Sequence, residues 1–206
     1  MKIGKDVTFK TEDTVKIAAT HYVGKGDGII LLHMLSRDRR DWDIFAVKLN
    51  SLGYNVLAID LRGHGESELD FLKFNSTDYN NMVKDVAAAK KYLNKTRIFV
   101  IGASIGANVA LNYAVKDKDV KGIVLLSPGA DYRGVETLKA IMKYDRPIMI
   151  VSSEDDFQSI GASRQLYSFA GKQRELKEYG DAGHGTNMFV KLDLADSIIN
   201  WMDKYK

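Results

Sequence analysis

The chain has 206 residues, 45% hydrophobic and 28% charged, with 30 Lys and Arg against 27 Asp and Glu for a formal net charge of +3. This balance suits one folded domain, expected over residues 1–206, and excludes disordered, collagen-like and low-complexity classes. The small, dispersed positive excess argues against nucleic acid as partner. The apolar runs are too short to span a membrane. The absence of cysteine excludes disulfides, thiolate metal sites and a thiol nucleophile. Met1-Lys-Ile-Gly-Lys-Asp carries no apolar core of an export signal, so a cytoplasmic protein is expected.

In chain order, the first elements are Val7-Thr-Phe-Lys-Thr and Val15-Lys-Ile-Ala-Ala-Thr-His-Tyr-Val, separated by a turn at Glu12-Asp13. Their alternation predicts an antiparallel hairpin at a sheet edge. Val-, Ile- and Leu-rich runs then recur at Gly28 to His33, Tyr54 to Asp60, Arg97 to Gly102, Lys121 to Ser127 and Pro147 to Ser152, with a last strand near Glu175 to Tyr179. The continuous apolar runs read as parallel strands covered on both faces. Stretches of helical period lie between them. Tyr79, Met82, Val83, Val86 and Leu93 stripe a helix over 77–94, and Val109, Ala110, Tyr113 and Ala114 mark another after Ser104. A helix is expected near Val135 to Lys143, then one through Leu166 and Phe169. A last helix over 187–205 presents Leu192, Ala195, Ile198, Ile199 and Met202. Alternating strands and helices predict an α/β fold, its mostly parallel sheet covered by helices on both faces.

Gly102-Ala-Ser104-Ile-Gly106 follows a strand and precedes a helix. That is the setting of a nucleophile elbow, in which a serine stands on a tight, strained turn and its neighbours must be small. The alternative is an ordinary turn with Ser104 capping the helix. Gly161-Ala-Ser163 lacks the second glycine and lies inside a helical stretch. A serine nucleophile needs a base, and the base an orienting acid. His184, between Gly183 and Gly185 in the loop after the last strand, suits the base. His33 and His64 read as loop supports, and His21 as a surface residue of the hairpin. The acid is expected after the strand ending near Ser152, where Glu154-Asp-Asp156 stands, with Asp131 as a fallback. The order is then nucleophile, acid, base. Two preorganised N–H donors complete such a site: the backbone N–H of Ile105, and that of Leu35, with Met34 the next choice. No phosphate loop, dinucleotide fingerprint or metal-ligand spacing occurs, so neither cofactor nor metal is expected.

These residues resemble the α/β-hydrolase superfamily, from about Asp6 to the C-terminus. The marks are Leu31-Leu-His33, Asp60-Leu-Arg-Gly-His-Gly-Glu-Ser67, the Gly102–Gly106 elbow, Asp156 and Gly183-His-Gly185. The resemblance implies that Asp156, three residues beyond Ser153, is the acid rather than Asp155. Within the superfamily the chain looks most like small lidless serine esterases and the dienelactone-hydrolase-like group. It departs from the pattern in having Met34 after His33, where glycine is usual, which implies an altered acyl pocket. Ser152-Ser153 replaces a more glycine-rich turn. Dienelactone hydrolases carry a cysteine nucleophile, which this chain lacks.

The implied activity is hydrolysis of small carboxylic esters through an acyl-enzyme. A thioesterase, peptidase or acyltransferase would use the same triad, and a non-catalytic binding module would lose part of it. The residues from Pro128 to Arg146 leave no room for a cap domain, so an open cleft for small or solvent-extended acyl groups is expected. Oligomeric state is left open.

Overall fold

The computed structural model describes residues 4–205. Met1-Lys-Ile, part of the N-terminus read above as lacking an export signal, lie outside the described residues. The sheet contains β1 (Lys5–Lys10), β2 (Lys16–Tyr22), β3 (Gly28–Leu32), β4 (Asn55–Ile59), β5 (Ile98–Ala103) and β6 (Val120–Leu126). After a two-stranded ribbon, β7 (Asp131–Tyr132) with β8 (Val135–Glu136), the sheet is completed by β9 (Ile148–Ser153) and β10 (Arg174–Tyr179). The strand order is β1-β2-β4-β3-β5-β6-β9-β10. Strand β2 is antiparallel to both β1 and β4, and the other pairs are parallel. The expected hairpin therefore forms, with Thr11 N–H closing the turn onto Val15 O at 3.0 Å.

The helices are α1 (Asp43–Ser51), α2 (Ser76–Asn80), α3 (Met82–Leu93), α4 (Ile105–Ala114), α5 (Leu138–Ile141), α6 (Ile160–Phe169) and α7 (Leu194–Asp203). Successive strand residues serve opposite faces, as the period of two requires. Ile29, Leu31, Phe99, Ile101 and Val124 pack under Phe45 and Leu49 of α1 and Ile198, Trp201 and Met202 of α7. Ile30, Leu32, Val100, Ile123 and Ile150 pack under Met82 and Val86 of α3, Leu111 of α4 and Leu166 of α6. Each such side chain contributes roughly 1.5–3 kcal/mol on burial. This is an α/β-hydrolase fold with helices on both faces and, among the described residues, no cap domain between β6 and β9. No helix among the described residues is long and apolar enough to cross a membrane.

Several boundaries differ from expectation. The helix expected over 77–94 is two, because Asn75 caps a short α2 and the chain restarts after Asn81. The helix expected near Val135 to Lys143 is shortened to α5: Arg133 and Gly134 both adopt positive φ, 57° and 86°, which turns β7 back on β8 and takes Val135–Glu136 into the ribbon. The C-terminal stretch begins as a 3-10 turn over Gly185–Val190 before α7, and Leu192, expected on the apolar stripe, is 93% exposed. Helix α1 had no clear signal, since its Ile44 faces solvent and blurs the period set by Phe45, Ala46 and Leu49.

Candidate active site

Strand β5 delivers Ser104 to the carboxyl edge of the sheet, the usual ligand edge of an open α/β sheet. Ser104 has φ 55° and ψ −122°, an uncommon conformation for a side-chain-bearing residue. Its N–H donates to Leu126 O at 2.8 Å, and its carbonyl accepts from Ala107 N–H at 2.9 Å. The turn needs its glycines. A Cβ at Gly102 would overlap Gly106 O, and one at Gly106 would stand 2.6 Å from the carbonyl oxygens of both Leu32 and His33. By contrast, Ser163 of the second Gly-Ala-Ser is a buried residue inside α6.

The loop after β10 turns at Gly183 and Gly185, with φ of 75° and 56°, and presents His184 between them. His184 Nδ1 and Asp156 Oδ2 are 2.8 Å apart. Burial pushes the Asp156 carboxyl up, but hydrogen bonds from His184, Ser159 and Ser127 outweigh it and hold the group below its ordinary range. The neighbouring Asp155 does different work. Its carboxylate accepts from Ser153 Oγ and from the backbone N–H groups of Ala182 and Gly183, fixing the loop that carries His184. Asp131, the fallback acid, is exposed and accepts from Gly134 N–H at 2.6 Å; it has no hydrogen bond to His184.

Ser104 and His184 line one cleft of about 410 Å³ together with Leu35 and Ile105. Ile105 opens α4, where the first N–H groups have no acceptor within the helix. Leu35 lies in the loop after β3, which His33 shapes. His33 Nδ1 meets Met34 O at 2.6 Å, and its Nε2 accepts from Leu61 N–H at 3.0 Å. Met34 is only 6% exposed and packs beneath Gly185, where a Cβ would overlap its Sδ. Met34, expected to alter the acyl pocket, is thus mostly packed in the core while it still lines the cleft.

The Asp60–Ser67 segment supports this edge. Asp60 is fully buried and accepts from the Arg39 and Glu66 N–H groups at 2.8 Å, as well as from the Arg39 guanidinium. Gly65 lies so close that a Cβ there would overlap the Asp60 carboxylate. His64 is buried, with Nδ1 3.0 Å from Arg62 O. His21 is not simply exposed: its Nε2 meets Asn55 Oδ1, on the neighbouring β4, at 2.8 Å.

Two residues of the site had no signal strong enough to single them out. Ser127, at φ 50° after β6, accepts from Gly185 N–H at 2.9 Å and hydrogen-bonds Asp156. Tyr132 lines the cleft, its ring edge-on to His184 with centroids 6.3 Å apart. Burial and the Asp156 charge push its phenol up to about 12, despite the neighbouring Ser104 hydroxyl, so it stays protonated at neutral pH. Ser127 had a weak mark, a serine closing a strand. Tyr132 is brought in by the unexpected ribbon. No group of three or more potential ligands able to hold a metal ion occurs among the described residues.

The family described as serine aminopeptidase, S33, matches residues 28–144. The chain is 26% identical over 192 residues to the AB hydrolase superfamily protein YisY of Bacillus subtilis, covering 85% of this chain and 70% of that protein. Three mycobacterial proteins match at 29% identity over 112 residues, and there the chain spans 32% of their length. An esterase of Mycobacterium tuberculosis is 29% identical over 164 residues, covering 78% of this chain and 52% of the esterase. Among solved structures, the Pyrococcus furiosus esterase Pf2001 superposes with a TM-score of 0.84 at 23% identity, over 98% of this chain and 92% of that one. An esterase of Exiguobacterium antarcticum superposes with a TM-score of 0.83 at 14% identity, over 97% and 100%. At these identities the superpositions speak to fold.

Proposed function

Since the chain belongs to the α/β-hydrolase family described as serine aminopeptidase, S33, we propose that it is a serine hydrolase cleaving small or solvent-extended carboxylic esters through an acyl-enzyme. The observation that carries the reading is the 2.8 Å pairing of Asp156 with His184, in a cleft that the His184 ring shares with Ser104 on its strained turn. In this mechanism His184 Nε2 takes the proton of Ser104 Oγ as the oxygen attacks the ester carbonyl. Asp156 accepts from Nδ1–H, which fixes the tautomer and stabilises the imidazolium. The N–H groups of Ile105 and Leu35 receive the developing oxyanion, each worth roughly 10²–10³ in rate. His184 then returns the proton to the leaving alcohol, and a water molecule repeats the sequence on the acyl-enzyme.

The absence of an inserted cap among the described residues supports substrates that are small or reach into solvent. Residues 4–205 act, on this reading, as one catalytic unit on a small-molecule ester. The description of the family supports aminoacyl amides as a second substrate class for the same triad. A non-catalytic binding role is disfavoured by the presence of all three triad residues.

The test is covalent labelling by a fluorophosphonate, read by intact mass, alongside hydrolysis of p-nitrophenyl acetate. The wild type should gain one adduct and Ser104→Ala none, with turnover falling by several orders of magnitude. Undiminished hydrolysis by Ser104→Ala would overturn the proposal. Thioesters and aminoacyl p-nitroanilides in the same assay rank the substrate classes.

A further inference from the structure

The cleft before Ser104 differs from the apolar slot that a long acyl chain needs. Beside Met34, Leu35 and Ile105, its lining includes Arg37 and Arg133 with the neutral amides Gln158 and Asn187. One carboxylate, Asp131, faces the same space, and one of its oxygens is occupied by Gly134 N–H. Among the residues that line the cleft, two cations therefore face one carboxylate.

Backbone geometry holds both arginines there. Arg37 stands two residues beyond Leu35, in a turn closed by its own N–H to Met34 O at 3.2 Å after Ser36 at φ 60°. Its Nε is 3.7 Å from Asp41. That carboxylate also accepts from Thr186 Oγ1 at 3.1 Å, so Arg37 is tethered to the turn that follows His184.

Arg133 occupies a costlier position. Tyr132 pairs with Val135, so Arg133-Gly134 is a two-residue hairpin turn with both φ angles positive. The first position of such a turn favours Asn, Asp or Gly, and another side chain there costs about 1 kcal/mol. Packing does not call for the arginine: it is exposed, and no carboxylate pairs with it among the described residues. A strained cation with no carboxylate partner among the described residues adds little to stability, and its place at the cleft points to a role there.

Resting on the serine-hydrolase reading, we propose that the cleft selects esters bearing an anionic group, a carboxylate or phosphate, bound by Arg37 and Arg133 a few bonds from the scissile carbonyl. A guanidinium offers such oxyanions paired donors in one plane. Exposed pairs are individually weak, so selection arises from two cations acting on one anion, with added attraction of the substrate to the cleft.

The experiment compares kcat/KM for esters matched in length. The first arm sets the 4-nitrophenyl half-ester of glutarate against 4-nitrophenyl pentanoate. A second arm sets 4-nitrophenyl esters of phosphonoalkanoates against neutral counterparts and distinguishes phosphate-like from carboxylate anions. The wild type should favour an anionic ester, and the anionic-to-neutral ratio should fall by roughly three- to fivefold in each of Arg37→Gln and Arg133→Gln. It should fall again with added salt. A ratio near one in both arms, or one the two variants leave unchanged, overturns the proposal. If no ester turns over, the anilide N-(4-nitrophenyl)glutaramate is titrated calorimetrically into Ser104→Ala protein, with and without the arginine substitutions. Binding that the substitutions weaken supports the anion site while the serine-hydrolase reading fails. No binding overturns the site as well.

Discussion

Asp155 accepts hydrogen bonds from the Gly183 N–H through both carboxylate oxygens, at 3.1 and 3.2 Å. One residue further along the chain, Asp156 takes the Nδ1 of His184 at 2.8 Å. Adjacent carboxylates thus divide the task, one holding the loop backbone and the other the ring. Asp156→Asn is expected to cut kcat by roughly 10⁴-fold, because the amide favours the wrong imidazole tautomer. Asp155→Ala should cost about tenfold by loosening the His184 loop, since small misplacements are expensive in the transition state. Steady-state kinetics on p-nitrophenyl acetate checks both, and equal losses would refute the division.

Tyr132→Phe removes one hydroxyl beside Ser104 while keeping the ring edge-on to His184. A lost hydrogen bond to the reacting oxygens predicts a fall in kcat of about tenfold with KM little changed. An unchanged kcat would make the hydroxyl a bystander held only by Ser127 O, which it meets at 3.4 Å.

Gly106→Ala drives a Cβ to 2.6 Å from two backbone oxygens, which cannot swing aside. Overpacking of this kind costs about 1–3 kcal/mol. It should also displace the loop that carries Leu35, lowering Tm and activity together. Gly161→Ala is the contrasting case. Nothing lies within 4 Å of its Cβ at an exposed position of α6, and higher helix propensity should raise stability by up to about 1 kcal/mol. Thermal denaturation of the pair separates close approach from propensity.

Acid should destabilise the fold through His64. Burial, with the nearby His33 adding to it, pushes this imidazole down to about 4, whereas in the unfolded chain it titrates near 6.5. The unfolded state binds more protons between these values, so stability rises with pH across that window. The contribution is complete above about pH 6.5 and is lost as pH falls through about 4, on the order of 3 kcal/mol. Other groups face the same ring: Asp60 favours its protonation, and Phe71 stacks on it at 4.4 Å. Urea unfolding at pH 7 and pH 4.5 should differ less for His64→Gln than for the wild type. An equal difference in both would place the acid sensitivity elsewhere.

The amino-acid order by itself determined the alternation of buried strands and amphipathic helices, the elbow around Ser104 and the glycine-flanked His184. These are local signals, set by apolar period and by positions where only small residues or positive φ are tolerated. The assignment of the acid was less local. Glu154, Asp155 and Asp156 look alike as a polar turn, and resemblance to a family favoured the third. The structure separates them physically, because only Asp156 is buried against His184, Ser159 and Ser127, while Asp155 turns to the loop backbone. Met34 likewise reads as a change in the acyl pocket, and the structure packs its side chain under Gly185 while it still lines the cleft. What the tertiary structure alone decided was the wall of the cleft. The ribbon of β7 and β8 depends on positive φ at Arg133 and Gly134, which no apolar period encodes, and it carries both Tyr132 and Arg133 to Ser104. Contacts between residues distant in sequence, such as Ser127 with Gly185, arise from strand order rather than from any local pattern. That is why the catalytic candidates could be named from the chain, whereas the chemistry of the surface facing the substrate could not.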